Sequence, residues 1–151
     1  MTKKEWTLLV IAAAGGAGLQ PVQLQKTLFL LSRRLTPARL GTGAFYQFEP
    51  YDYGPFCGKV YSDADELREE GLIEIDYPTQ RRYREYRTTE HGKERASEIL
   101  KRISPEARAY LDVIVQWVRN LSFNDLVEAI YKAFPDMAVN SVFARTPGNP
   151  R

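Results

Sequence analysis

Apolar residues recur at helical spacing in six stretches of the chain, and an alternation with a period of two interrupts them once. The spacing predicts helices over about 4–14, from Pro21, from near Pro55 to Gly71, from Thr89, from Ser104 and from Ser122. Thr89, Ser104 and Ser122 are side chains that favour N-caps, and Pro21 fits a first helical turn. Gly71 lies where a left-handed C-cap is expected.

The alternating stretch predicts a β-hairpin directly after the third helix. Residues 72–77 read as one strand, Pro78, Thr79 and Gln80 turn the chain, and 82–88 form the return strand. Helix, hairpin and new helix in this order are typical of the second half of a winged helix-turn-helix. We therefore predict an α+β, mainly α fold: a winged helix-turn-helix with an insertion between helices 2 and 3 and a C-terminal helical extension.

The predicted insertion is rich in proline, glycine and aromatic residues. It is expected to be a loop or an extended segment, in which 44–48 could form a short strand, and the Gly54-Pro55 pair sets the turn into the third helix. Its aromatic residues are interpreted mainly as core packing, with a partner-binding platform as the alternative. These residues are Phe45, Tyr46, Phe48, Tyr51, Tyr53 and Phe56.

Domain organisation follows from these elements. The winged-helix domain is predicted at 1–103 with its insertion at 36–54, and the helical extension at 104–144 is expected to pack on the same core. The last residues, 145–151, contain two prolines and a glycine and are expected to form a flexible tail.

Composition bounds the setting of the protein. The chain has 151 residues, a formal net charge of +2 and one cysteine, so an internal disulfide is impossible and a reducing compartment is expected. Neither a membrane span nor a signal peptide is expected, since the longest apolar run near the start is too short. These features together predict a cytoplasmic protein.

The arginine-rich tip of the hairpin is the strongest candidate for chemistry. Arg81, Arg82 and Arg84 on a protruding loop could neutralise phosphates or enter a minor groove. Lys59 and Ser62 on the third helix would then lie near the major groove. The alternative is a hairpin edge that charge keeps soluble. Lys26, Arg33, Arg34 and Arg39 could extend the basic surface or form an ordinary solvated face.

The third helix argues against generic DNA binding. Its predicted solvent face carries Asp63, Glu66 and Glu70, and carboxylates repel phosphates unless they accept from cytosine. Either the hairpin does most of the binding, or this surface meets a protein partner.

Sequence motifs for catalysis, cofactor binding or metal binding are not recognisable. His91, the one histidine, fits the capping region of a helix, and Cys57 is expected to be buried on the apolar face of the third helix. One histidine and one cysteine cannot make the usual zinc set. The glycines at 15, 16 and 18 complete neither a P-loop nor a dinucleotide fingerprint. We therefore predict no catalytic residues, no cofactor, no metal and no enzymatic activity.

Several segments resemble the YwgA-type proteins of bacteria and archaea. They are Leu24-Gln25-Lys26 with 28–31, the segment 48–56 that contains Tyr53-Gly54-Pro55-Phe56, then 60–61, 67–73, and Ala129-Ile130-Tyr131 with Phe134-Pro135. The related Panacea, or SocA-like antitoxin, domain has a similar Gly-Pro helix start. Residues 86–93 resemble the junction between wing and helix in winged-helix regulators. The resemblance covers about 6–141 and transfers no catalytic residue.

The YwgA-type resemblance implies a fold more than a function, and the Panacea resemblance implies toxin neutralisation or adaptor work through protein contacts. From residues and resemblance together we predict a prokaryotic DNA-binding regulator of a mobile-element, defence or toxin–antitoxin locus, with double-stranded DNA as partner. The alternative is a protein-binding antitoxin or adaptor on a winged-helix scaffold, with a partner such as a toxin. A homodimer through the last two helices is possible, and no membrane partner is expected.

Overall fold

A computed structural model describes residues 1–78 and 83–142. This part of the chain is α+β and mainly helical, with seven α-helices and two antiparallel hairpins. The helices are α1 Lys3–Ala13, α2 Pro21–Arg34, α3 Pro37–Leu40, α4 Gly58–Glu69, α5 Glu90–Leu100, α6 Pro105–Asn120 and α7 Phe123–Ala133. The strands are β1 Glu49–Tyr51, β2 Gly54–Phe56, β3 Ile73–Asp76 and β4 Glu85–Thr88. Short 3-10 turns occupy Gly15–Ala17 and Pro135–Ala138.

Helix α1 lies at the centre of the core. Its residues Trp6 to Ile11 are all buried, and it contacts α2, α4, α5 and α6. Six consecutive buried residues cover every face of a helix, so α1 is surrounded by protein on most sides. The one polar atom of the Trp6 ring is satisfied, because its indole N–H donates to the carbonyl of Leu40 at 2.7 Å.

The predicted helix caps are confirmed. Thr89, Ser104 and Ser122 each accept a hydrogen bond from a backbone N–H in the first turn of the helix that follows. Gly71 has a positive φ of 76°, as its predicted capping position after α4 requires.

The predicted hairpin after α4 is confirmed, with strands shorter than expected. Strands β3 and β4 pair antiparallel, and Ile73 lies opposite Thr88 and Ile75 opposite Tyr86. Ile73 and Tyr86 are buried, and Tyr86 also pairs with Leu19 through two backbone hydrogen bonds of 2.7 and 2.9 Å. The predicted turn and the start of the predicted return strand fall on 79–82, outside the described residues.

The predicted insertion differs most from expectation. It contains the helical turn α3, and its end forms a hairpin in which β1 pairs with β2, whereas 44–48 is not a strand. The Gly54-Pro55 pair lies in β2, and α4 begins at Gly58, later than predicted. The apolar spacing of Phe56 with Val60 suggested a longer helix, but side chains of α2 hold 55–57 in an extended conformation through the contacts given below.

Helices α6 and α7 cover the other side of α2. Leu111, Val115 and Val118 of α6 and Leu126 and Ile130 of α7 are buried in the same apolar core as α1 and α2. The predicted tail, 145–151, lies outside the described residues. Within 1–78 and 83–142, no helix combines the length and apolarity needed to cross a bilayer.

Candidate functional site

The predicted DNA-contacting residues of α4 have different surroundings. Ser62 is exposed, whereas Lys59 pairs with Asp63 at 3.2 Å. Asp63 was expected on the solvent face, and this expectation is wrong. The carboxylate is buried because the Tyr46 hydroxyl donates to it at 2.6 Å, and Thr7 lies 2.7 Å from the same hydroxyl. Burial and the hydrogen bond to Asp63 raise the pKa of Tyr46 far above its usual value.

The exposed face of α4 is acidic. It presents four carboxylates, those of Asp65, Glu66, Glu69 and Glu70. Only part of this charge is compensated, by Arg68 of the same helix and by Lys4, which pairs with Glu70 at 3.1 Å. A duplex approaching this face would meet net negative charge.

One of the three predicted hairpin arginines falls in the described chain. Arg84 precedes β4 and is half-buried, with its guanidinium 4.8 Å from the centre of the Tyr61 ring and 5.5 Å from that of Tyr86. Cation–π packing of this kind holds the side chain against the protein. Arg81 and Arg82 lie outside the described residues.

Lys26 corrects another expectation. It was expected either to extend the basic surface or to lie on an ordinary solvated face, yet only 5% of the residue is exposed. Its ammonium donates to the carbonyl of Pro55 at 3.1 Å. Burial lowers the pKa of Lys26 to about 8, since a low-dielectric surrounding disfavours the charged form.

The neighbouring Gln25 holds the next part of the same segment. Its side-chain N–H donates to the Cys57 carbonyl at 2.9 Å, and its side-chain oxygen accepts from the Cys57 N–H at 3.0 Å. Cys57 is half-buried at the N-cap of α4, and was expected on the apolar face of that helix. Two motifs of the family resemblance, Leu24-Gln25-Lys26 and Tyr53-Gly54-Pro55-Phe56, therefore meet through α2 and the β1–β2 hairpin.

The β1–β2 hairpin is also tied to the end of the described chain. Asn140 donates to the Pro50 carbonyl at 3.2 Å, and both the Ser141 hydroxyl and the Val142 N–H bind the Asp52 carbonyl at 3.1 and 3.0 Å. These contacts tie β1 and the turn after it to the segment that follows α7.

A cleft of about 440 Å³ opens between the hairpin, α2 and the start of α7. We call it the aromatic cleft, and it is lined by Gln20, Pro21, Val22, Gln25, Lys26, Tyr51, Tyr53, Gly54, Phe56, Tyr61, Tyr83 and Phe123. Its volume lies in the range of small-ligand and peptide pockets. Apolar and aromatic atoms form most of the cleft surface. Among the described residues that line the cleft, Lys26 alone has a charged side chain.

The predicted aromatic cluster divides into two groups. Tyr46 is buried and Phe45 and Phe48 pack against the core, as the core interpretation expected. Tyr51 and Tyr53 are instead 56% and 46% exposed at the rim of the cleft. Tyr53 packs edge-on against Phe123 at 5.2 Å, a contact between residues 70 positions apart in sequence. Sequence patterning gave no signal for an exposed Phe123, because its spacing from Leu126 and Ile130 places it on the apolar stripe of α7 and so predicts a core residue.

Groups that could hold a metal ion, three or more His, Cys, Asp or Glu together, do not occur within the described residues. His91 lies exposed in the first turn of α5, in the capping region where it was expected. Comparison of the chain with family models, curated proteins and solved structures found no match.

Proposed function

We propose that the protein is a protein-binding adaptor or antitoxin on a winged-helix scaffold, and that the aromatic cleft receives a segment of its partner. The order α4, β3, β4, α5 supports the winged-helix assignment. The single observation that carries the function is the exposure of Tyr51, Tyr53 and Phe123 around an apolar cleft. Tyrosine and phenylalanine are enriched at protein–protein interfaces, and tyrosine is frequent among interaction hot spots.

The charge distribution favours a protein partner over a duplex at this site. A DNA-binding surface needs several cations that can reach phosphates, whereas the described lining of the cleft has one buried lysine. The acidic face of α4, where a winged helix would read the major groove, points to the same conclusion.

The test is capture of a partner with matched cleft variants. Wild type, the Tyr53→Ala/Phe123→Ala double variant and Val113→Ala are used to capture proteins from a prokaryotic lysate, and each candidate is purified and titrated by calorimetry. Val113 is the control because it is 66% exposed and does not line the cleft. We expect the double variant to bind at least about tenfold more weakly and Val113→Ala to bind as wild type. Candidate partners that bind all three proteins equally would contradict the proposal.

A DNA-binding regulator is the second candidate, favoured by the arginines at 81, 82 and 84 around the β3–β4 connection. If it is correct, wild type binds a random duplex with a steep dependence on salt. The Arg81→Ala/Arg82→Ala/Arg84→Ala variant then gives a log–log slope shallower by about two to three. Wild type that does not bind at low salt would exclude this candidate and leave the adaptor proposal intact.

A further inference from the structure

Lys26 is a buried cation without a counter-charge in the described chain. The ion pairs between described residues do not include it, and its one hydrogen-bond acceptor there is the Pro55 carbonyl. An ammonium has three N–H donors, so two remain for a ligand. A buried charge is costly unless it is paired. A feature that lowers stability in this way, at the wall of a cleft, indicates a binding site.

We propose that the aromatic cleft binds a partner segment that presents a carboxylate beside an apolar side chain. The carboxylate pairs with the Lys26 ammonium, and the apolar side chain packs among Tyr51, Tyr53 and Phe123. This inference rests on the proposed function and names the chemistry of the partner.

The surroundings of Lys26 favour an anion. Gln20, Pro21 and Val22 line the cleft at the N-terminal end of α2, where the helix carries a partial positive charge. The Arg84 guanidinium lies 4.8 Å from the ring centre of Tyr61, which lines the cleft, and adds a second cation close to the cleft wall. The described lining contains no carboxylate that would oppose these charges.

A carboxylate fits this site better than a phosphate. Phosphate sites usually combine several cations or a bidentate arginine, and the described lining offers one lysine and no arginine. One ammonium matches the single charge of a carboxylate. The rings that line the rest of the cleft match an apolar side chain.

A purely structural role of Lys26 is the competing explanation. The hydrogen bond to Pro55 could serve only to hold β2 in place. In that case binding in the cleft would be indifferent to the charge of the ligand, and this difference can be measured.

The experiment compares two probes of nearly equal size and shape, one charged and one neutral. N-acetyl-phenylalanine carries a carboxylate at pH 7, and N-acetyl-phenylalanine amide is neutral. Both are titrated by calorimetry against wild type, Lys26→Met and Lys101→Met, the last being an exposed lysine outside the cleft. We expect wild type and Lys101→Met to bind the carboxylate about tenfold tighter than the amide, and Lys26→Met to bind both equally. Equal binding in wild type, an unchanged ratio in Lys26→Met, or no binding would overturn the proposal.

A pH profile on wild type keeps the test decisive if Lys26→Met does not fold. Carboxylate affinity should fall between pH 7 and 9.5, because the free protein loses the Lys26 proton near pH 8. The titratable side chains on neighbouring segments are Tyr51, Tyr53 and Cys57, with Tyr61 on α4, Tyr83 before β4 and Tyr131 on α7. Burial raises the pKa of Tyr61 away from this range. The profile is repeated in Cys57→Ser, which removes the one thiol of the sequence. A flat profile would refute the pairing.

Failure of this inference and failure of the proposed function give different results. Suppose that binding of a protein partner requires Tyr53 and Phe123 but is unchanged in Lys26→Met. The proposed function would then stand, and the proposal that the partner presents a carboxylate to Lys26 would be rejected. Suppose instead that the probe binds through Lys26 but no protein is found whose binding depends on the cleft. The cleft would then be a carboxylate site, and the proposal of a protein partner would be rejected.

Discussion

The two β-hairpins are fixed by different kinds of contact. The β3–β4 hairpin buries Ile73 and Tyr86 in the core, and Tyr86 is bound by the backbone of Leu19. The β1–β2 hairpin is held by side chains distant in sequence, those of Gln25 and Lys26 from α2 and those of Asn140 and Ser141 from the segment after α7. The rings of Tyr51 and Tyr53 on this hairpin remain exposed, and Lys26 has no counter-charge in the described chain. The first arrangement is that of a structural element, and the second is what a binding site requires.

The junction after the β3–β4 hairpin should be the most sensitive point. A Cβ at Gly92 would lie 1.9 Å from the Leu72 carbonyl oxygen, a backbone atom that the Thr89 N–H also binds, at 3.1 Å. We expect Gly92→Ala to destabilise the protein by about 3 kcal/mol or more, or to prevent folding. Urea denaturation measures this. Gly43→Ala is the control, because nothing lies within 4 Å of its Cβ position. A small loss in Gly92→Ala would mean that Gly92 and the Leu72 carbonyl are not in close contact.

The buried hydroxyl of Tyr46 should have the next largest effect. Tyr46→Phe leaves the Asp63 carboxylate without its 2.6 Å hydrogen bond, and we expect a loss of about 2 kcal/mol in the free energy of unfolding. Tyr77→Phe removes a hydroxyl from a residue that is 68% exposed and should change stability by less than about 0.5 kcal/mol. Equal losses in the two variants would show that the hydrogen bond from Tyr46 to Asp63 does not stabilise the fold.

Gly54 tests the shape of the β1–β2 hairpin. It has a φ of 100°, and a Cβ would meet Tyr131 at 3.3 Å and the Lys26 side chain at 3.6 Å. We expect Gly54→Ala to cost about 1–2 kcal/mol of stability, because alanine is strained at this φ. We also expect weaker binding of N-acetyl-phenylalanine, because the new methyl group would contact the Lys26 side chain. Denaturation and calorimetry measure the two effects. Lower stability with unchanged binding would mean that the conformation of the hairpin at Gly54 does not affect binding in the cleft.

Lys26→Met should act in the opposite direction on stability. Removing a buried, unpaired charge is expected to stabilise the protein by about 1–2 kcal/mol at pH 7, with part of the gain offset by the lost bond to Pro55. The pKa of Lys26 is lowered to about 8 in the folded protein, from 10.5, so the unfolded state binds more protons between these values. Wild type therefore gains stability as pH rises through this range.

The difference in free energy of unfolding between Lys26→Met and wild type should accordingly become smaller from pH 7 to 9.5. Urea denaturation at each pH measures it. Lys101→Met, which changes an exposed lysine, should show no such trend. A constant difference would mean that Lys26 keeps its ordinary pKa and is not buried as a cation.

The sequence predicted well what local chemistry determines. Thr89, Ser104 and Ser122 cap helices because their hydroxyls reach the first turn, and the alternation around Ile73 and Ile75 marks a strand. It failed where contacts are distant in sequence. Lys26 looked like a surface residue by charge, but its burial depends on Pro55, and Asp63 is buried because Tyr46 reaches it. The β1–β2 hairpin was missed because its strands span three residues each and side chains from α2 and 140–141 hold it.

The most direct test of the central claim is to locate the binding site. Titration of ¹⁵N-labelled protein with N-acetyl-phenylalanine at pH 7 should shift the backbone amide signals around the aromatic cleft, those of residues 20, 22–26, 53, 54, 56, 57 and 123. The amide probe should shift the same signals at higher concentration. Shifts confined to α4 or to the β3–β4 hairpin, or their absence, would contradict the assignment of the β1–β2 hairpin as the binding element.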